Sequence, residues 1–194
     1  TLKALRPQFL EQASQFPRKN VEGVQNESTI GDYLTSCKNA EYCFDSRKLW
    51  DCKYIIQGFD SAKDCMDCTE IGSGAELLYE CAYAGYNANF NRFCSHTYGN
   101  TSNLTYCCYC PLCTDCFGCF GLRRARHCIL NKQYTEAEYK ALVPRIIKHM
   151  QNTGEWGEFF AAYISPFPYN LTHAHEYYPP TKAEAIRRGY RWRD

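Results

Sequence analysis

At 194 residues the chain is long enough for one or two domains with a sizeable core, and its 45% apolar and 22% charged residues exclude a disordered polymer. No apolar run approaches the ~20 residues of a membrane span, and a net charge of +1 argues against a protein that coats nucleic acid along its whole length. Two counts stand out, 14 Cys and 16 Tyr.

In chain order, residues 1–35 read as an N-terminal arm or cap: a short amphipathic stretch from Phe9 to Phe16, then Pro17 and a loop through Gly23 and Gly31. No signal peptide is recognisable, and Thr1 in place of Met reads as a processed or excised start. Residues 36–133 form a block that holds every cysteine, and residues 134–194 hold none. That shift in composition marks the expected boundary near Gln133.

Repetition inside the block is the strongest signal. Cys68, Cys81, Cys94 and Cys107 recur at one fixed interval of thirteen, and the same phase runs back to Ile55 and Tyr42 and forward to Phe120. Cys52 and Cys65 repeat the step, whereas a second echo, Cys37…Phe44-Asp-Ser46 against Cys52…Phe59-Asp-Ser61, has a period of fifteen. Short Asp/Asn/Ser/Gly-rich repeats with one small apolar residue at a fixed place suit a parallel β-solenoid. Coils there stack about 4.8 Å apart, and equivalent inward positions form ladders. Cys serves as a small buried hydrophobe at such places, with Tyr, Phe and Ile filling wider layers. A coil of a single repeat is unusually small, and one turn spanning two repeats is an open alternative. The competing reading is a disulfide-stapled or metal-organised fold.

Within Tyr106–Cys119 the cysteines crowd. Cys110, Cys113, Cys116 and Cys119 make three overlapping CxxC steps, and with Cys107 they form a candidate zinc site, because two such pairs supply four thiolates to one Zn²⁺. Cys128 or His127 would be further ligands. An iron–sulfur cluster fits less well: the last gap is two residues instead of three, and Pro111 follows the first cysteine of the run rather than the last. The simpler alternative is that these side chains point into the end of the solenoid. Fourteen is an even number and Asn26, Asn100, Asn103 and Asn170 head glycosylation sequons, yet thiols every three residues are too regular for a staple framework. Reduced thiols in a cytoplasmic setting are the expectation.

The tail reads as a helical and aromatic C-terminal cap. Thr135-Glu-Ala-Glu138 and Thr181-Lys-Ala-Glu184 are capping boxes. The first opens a helix with an apolar stripe at Leu142, Val143, Ile146, Ile147 and Met150, expected to kink or divide at Pro144 and to stop at Gly154. The second opens a short helix closed by Gly189. Trp156, Phe159, Phe160, Tyr163, Phe167 and Tyr169 supply apolar area for docking.

Charge is divided between the halves: residues 1–121 carry 10 Lys/Arg against 14 Asp/Glu, and residues 122–194 carry 12 against 7. Arg123, Arg124 and Arg126 are candidate phosphate contacts, with a second cluster at Arg187, Arg188, Arg191 and Arg193. Among potential catalytic groups, His173 and His175 share a face only in a strand, and Gly72-Ser-Gly74 lacks the Lys-Ser/Thr of a phosphate loop. His127 beside Cys128 has no orienting carboxylate that spacing can assign, and Glu155 with Glu158 reads as a solvated turn.

Three segments, Cys116-Phe-Gly-Cys-Phe-Gly-Leu122, Cys128-Ile-Leu-Asn-Lys-Gln-Tyr-Thr135 and Gly154-Glu-Trp-Gly-Glu-Phe-Phe160, are distinctive. They resemble uncharacterised cysteine-rich proteins of candidate-phyla (Patescibacteria-type) bacteria, which place zinc-ribbon segments outside a Cys-repeat core. The resemblance covers roughly residues 35–194, including Ser165–Asn170 and Arg188–Trp192, with no flanking ribbon in this chain. It implies a bacterial, cytoplasmic protein and no particular activity. The leading expectation is therefore a non-catalytic binding or scaffold module that meets a protein partner or its own copies and no membrane. A zinc-binding, nucleic-acid-associated protein is the first alternative, and an iron–sulfur or redox protein the second.

Overall fold

The computed structural model describes residues 2–194, with side chains from Leu5 onward. Its organising unit is a tripeptide. From Gln25 to Leu130 nearly every third residue has φ close to +55°, and the residue after each such corner points inward. Cys37, Ala40, Cys43, Ser46, Leu49, Cys52 and Ile55 are thus buried in unbroken succession. A left-handed corner after each two extended residues turns the chain, and four corners close one coil. About nine coils stack with parallel registry to give a β-solenoid, so one coil corresponds to one repeat.

Strands mark where pairing is most regular: β1 (Gly23–Val24), β2 (Ile30–Thr35), β3 (Lys38–Arg47), β4 (Leu49–Phe59), β5 (Ala62–Lys63), β6 (Met66–Gly72), β7 (Ala88–Asn89), β8 (Thr101–Thr105), β9 (Thr114–Phe117) and β10 (Arg126–Ile129). All of these pair in parallel, until β11 (Lys132–Gln133) turns back antiparallel on β10 and covers that edge. At the first coil Gly31, with φ +150°, lies so close to Cys43 that a Cβ would sit 1.8 Å from its carbonyl oxygen.

Register fixes four inward ladders. The fourth runs Cys43, Ile55, Cys68, Cys81, Cys94, Cys107, Cys119, and the third runs Ala40, Cys52, Cys65, Leu78, Asn91, Leu104, Cys116, Cys128. The step between coils is thirteen in the middle and twelve towards both ends. The constant phase therefore fails at its limits: Tyr42 is a corner and Phe120 an outward residue, and the ladder passes through Cys43 and Cys119 instead. In the longer coils the additional residue lies at one corner, which takes two consecutive left-handed residues at Asp60-Ser61 and Ser73-Gly74. The echo with the period of fifteen is not structural, since Cys37 pairs in register with Leu49 and Cys52 with Ala40.

Four inward side chains per coil leave no room for rings, so the expectation that Tyr and Phe fill wide layers does not hold. Several aromatic residues stand at corners, where equivalent rings stack from coil to coil: Tyr42 on Tyr54 at 5.4 Å, Phe93 on Tyr106 at 4.7 Å, and Tyr83, His96 and Tyr109 in one column. Polar corners pair likewise, Asn39 donating to Asp51 and Asn103 to Asp115. These stacks offset a left-handed corner that costs a non-glycine residue of order 1 kcal/mol.

The backbone amides divide three ways. Outward residues donate forward to the inward carbonyl of the next coil, as Lys53 does to Cys65, and corners donate backward, as Asp64 does to Trp50. Amides of inward residues meet the side chain one coil earlier on their own ladder: Gly58 donates to Ser46 Oγ at 2.8 Å, Leu104 to Asn91 Oδ1 at 3.0 Å, and Ala125 to Cys113 Sγ at 3.4 Å. The Asn131 amide is bonded in the same way to Cys119 Sγ at 3.4 Å.

Helix α1 (Leu2–Ser14) precedes the coils, and its described side chains are exposed or half-buried. Helix α2 (Glu136–Thr153) carries the expected capping box and the left-handed stop at Gly154, and it continues through Pro144 as one helix instead of dividing. Its stripe covers Phe117 and Ile129 on the last coils. Beyond Trp156, two short turns, α3 (Ala174–Tyr177) and α4 (Lys182–Arg187) are tied together by Tyr169 on Tyr190 and by paired bonds between Asn170 and Arg193.

Asn91 tests the ladder rule. Its amide oxygen accepts from Leu104 and its nitrogen donates to Thr101 Oγ1 at 2.9 Å, with no solvent contact. Asn91→Ala leaves both partners without their mates and is expected to cost about 1–3 kcal/mol, read as a lowered denaturant midpoint with unchanged slope.

Candidate functional site

All fourteen cysteines are free thiols, and thirteen face the interior; only Cys108 lies on the outward surface. The crowded run resolves into one coil. Cys110, Cys113, Cys116 and Cys119 occupy its four inward positions, one per ladder, with Cys107 one coil below Cys119. The tripeptide period explains the CxxC spacing without reference to a ligand.

Each of the thirteen interior thiols donates to a main-chain carbonyl. Cys110 reaches Cys119 O at 3.3 Å, Cys107 reaches Cys116 O at 3.4 Å, and Cys119 reaches Cys128 O at 3.4 Å. The sulfurs of Cys107, Cys110, Cys116 and Cys119 are close neighbours within this end of the core. Their proximity pushes Cys107 and Cys116 above the ordinary thiol range and holds Cys119 below it. Among the described residues no group of three or more His, Cys, Asp or Glu side chains is placed to hold a metal ion.

Arg123, Arg124 and Arg126 fall on adjoining outward and corner positions of the last coil, all exposed. The corner alternation separates His127 from Cys128: the imidazole faces outward, 3.7 Å from Asp115, and the thiol faces the core. Asp115 reaches His127 through coil stacking, one full coil back along the chain, so local spacing gives no sign of it. His173 and His175 lie at the start of α3, not in a strand; His173 is exposed and His175 packs edge-on against Trp192. Ser73 and Gly74 make the two-residue corner. Glu155 accepts from Tyr106 Oη through its carbonyl and from Thr153 through its carboxylate, as part of the strap that seats Trp156 on Phe93 and Tyr106.

One cluster escapes the sequence reading. Ser95 Oγ lies 2.7 Å from His96 Nδ1, the ring is clasped between Tyr83 and Tyr109, and Cys108 sits directly over Ser95 in the next coil. The adjacent Ser-His dipeptide is visible in the sequence, but its thiol neighbour lies a whole coil further on and is found only once the coil length is known. The described clefts are shallow: a groove of about 440 Å³ by Leu77, Phe90, Arg92 and Asn103, and one of about 370 Å³ between Asp67, Glu80 and Phe159. In the second, burial and then neighbouring Asp67 raise the Glu80 carboxyl above its usual range.

No family model matches the chain, and neither a curated protein nor a solved structure matches it significantly.

Burial also gives the thiols a pH signature. Desolvation raises Cys43 from 9.0 to about 11. An acid whose folded pKa is raised keeps its contribution below the unfolded pKa and loses it as pH rises to the folded value. Stability should therefore hold up to a pH of about 9 and fall between about 9 and 11. Urea midpoints across that range check this, and Cys43→Ala should flatten part of the slope.

Proposed function

We propose that the chain is a non-catalytic binding or scaffold module whose work is done by its outward columns. The observation that carries this reading is the commitment of the interior: thirteen of fourteen thiols serve as ladder residues in a filled core. What remains for recognition is a rigid lattice of corner and outward side chains at the coil spacing, rich in Tyr, Asn and Asp. Regular stacks of this kind present extended surfaces to a partner.

Elemental analysis of protein purified without chelator, with a free-thiol count, tests the reading. No bound metal, and fourteen thiols titratable once the chain is unfolded, agree with it. About one zinc per chain, lost on thiol blocking, would shift the balance to the metal-organised alternative.

A second reading is favoured by one observation, the gathering of Arg123, Arg124 and Arg126 on one edge of the last coil. As a phosphate-contacting edge it would give oligonucleotide binding that weakens with salt. Triple replacement by Ala should abolish that binding; unchanged binding would remove these residues from it.

A further inference from the structure

Two apolar surfaces are left uncovered. On the first coils, outward Phe44 and Ile56 are register partners, flanked by the stacked pair Tyr42 and Tyr54, and all four are close to half exposed. On α1, Leu5, Phe9 and Leu10 are each more than half exposed. Leu5 and Phe9 stand four residues apart on one stripe.

The chain itself shows how such a surface is covered. At the other end of the solenoid, α2 lays Leu142, Ile146 and Met150 on outward Phe117 and Ile129. Helix α1 offers the same chemistry to the early coils, and its length of about 20 Å matches about four coil spacings. Charge runs the same way: α1 carries Lys3 and Arg6 against Glu11, and residues 21–72 carry five Lys/Arg against ten Asp/Glu, with Asp45 bordering the patch. In the single chain the described residues of both surfaces face solvent.

We infer that two copies of the chain form a twofold dimer in which α1 of each docks on the Tyr42, Phe44, Tyr54 and Ile56 face of the other. This names the partner within the scaffold reading and rests on it. A reciprocal exchange is closed, burying both surfaces in both copies and leaving none to propagate a fibre. The residues joining α1 to the first coil, 15–22, reach about 26 Å when extended, which allows the helix to cross to a neighbour.

Sedimentation velocity over a range of concentrations reads the dimer directly. The intact wild-type chain should dimerise. Phe9→Asp and Ile56→Lys, both at exposed positions, should each weaken dimerisation about tenfold or more. Mixing the two variants should restore a heterodimer, because the intact helix of one meets the intact face of the other. A wild type that stays monomeric overturns the proposal, as does a dimer indifferent to both substitutions, or a mixture that fails to recover. Protection of Ile56 in a monomer, lost in Phe9→Asp, would mean that α1 docks within its own chain, and this too overturns it. Amide exchange on the same samples separates the two claims: a monomer with protected core amides ends the dimer alone, while unprotected core amides end the scaffold reading.

Discussion

A left-handed corner at every third residue is the constraint on which the rest of the molecule depends. It turns the chain so sharply that four tripeptides, with or without one added corner residue, complete a coil, and it fixes which side chains point inward. Such corners are unfavourable for most residues, so each must be held by its neighbours above and below. Stacked aromatic rings and Asn–Asp pairs supply that hold, and six of the sixteen tyrosines stand at such corners.

The narrowness of the tube then selects its contents. Each inward residue must be small, must tolerate full burial, and is best able to accept from the amide stacked over it. Cysteine meets all three conditions: its sulfur is soft enough to pack as a hydrophobe, accepts weakly, and returns its proton to a nearby carbonyl. Ser46 and Asn91 meet them with oxygen, and Asn91 gains two strong bonds in return. Leu and Ile satisfy only the packing, and Ala appears where neighbouring side chains already fill the layer. The close-set sulfurs from Cys107 to Cys119 follow from the same crowding.

Much of this is legible in the sequence. The fixed phase of Cys68 to Cys107 identifies the solenoid and the ladder, and two capping boxes place α2 and α4. What stays hidden depends on coil length. A single missing corner residue at each end moves the phase by one, which exchanges Tyr42 for Cys43 and Phe120 for Cys119. Tyrosine is misplaced because sequence alone gives no tube diameter, and a diameter of four side chains excludes rings. The pairing of Asp115 with His127, and of Ser95 with Cys108, is local in space and distant in sequence. Pro144 sits within a helix already anchored on Phe117 and Ile129, so packing retains what local geometry disfavours.

The molecule joins a rigid, fully occupied core to a patterned exterior, and both follow from one tripeptide rule. Native-state alkylation followed by mass-spectrometric mapping of every cysteine tests that rule most directly. Cys108 should react alone, with the other thirteen thiols labelled only on unfolding. Rapid native labelling of Cys110, Cys113, Cys116 or Cys119 would contradict it, since those side chains would then be facing outward from the coil instead of forming its core.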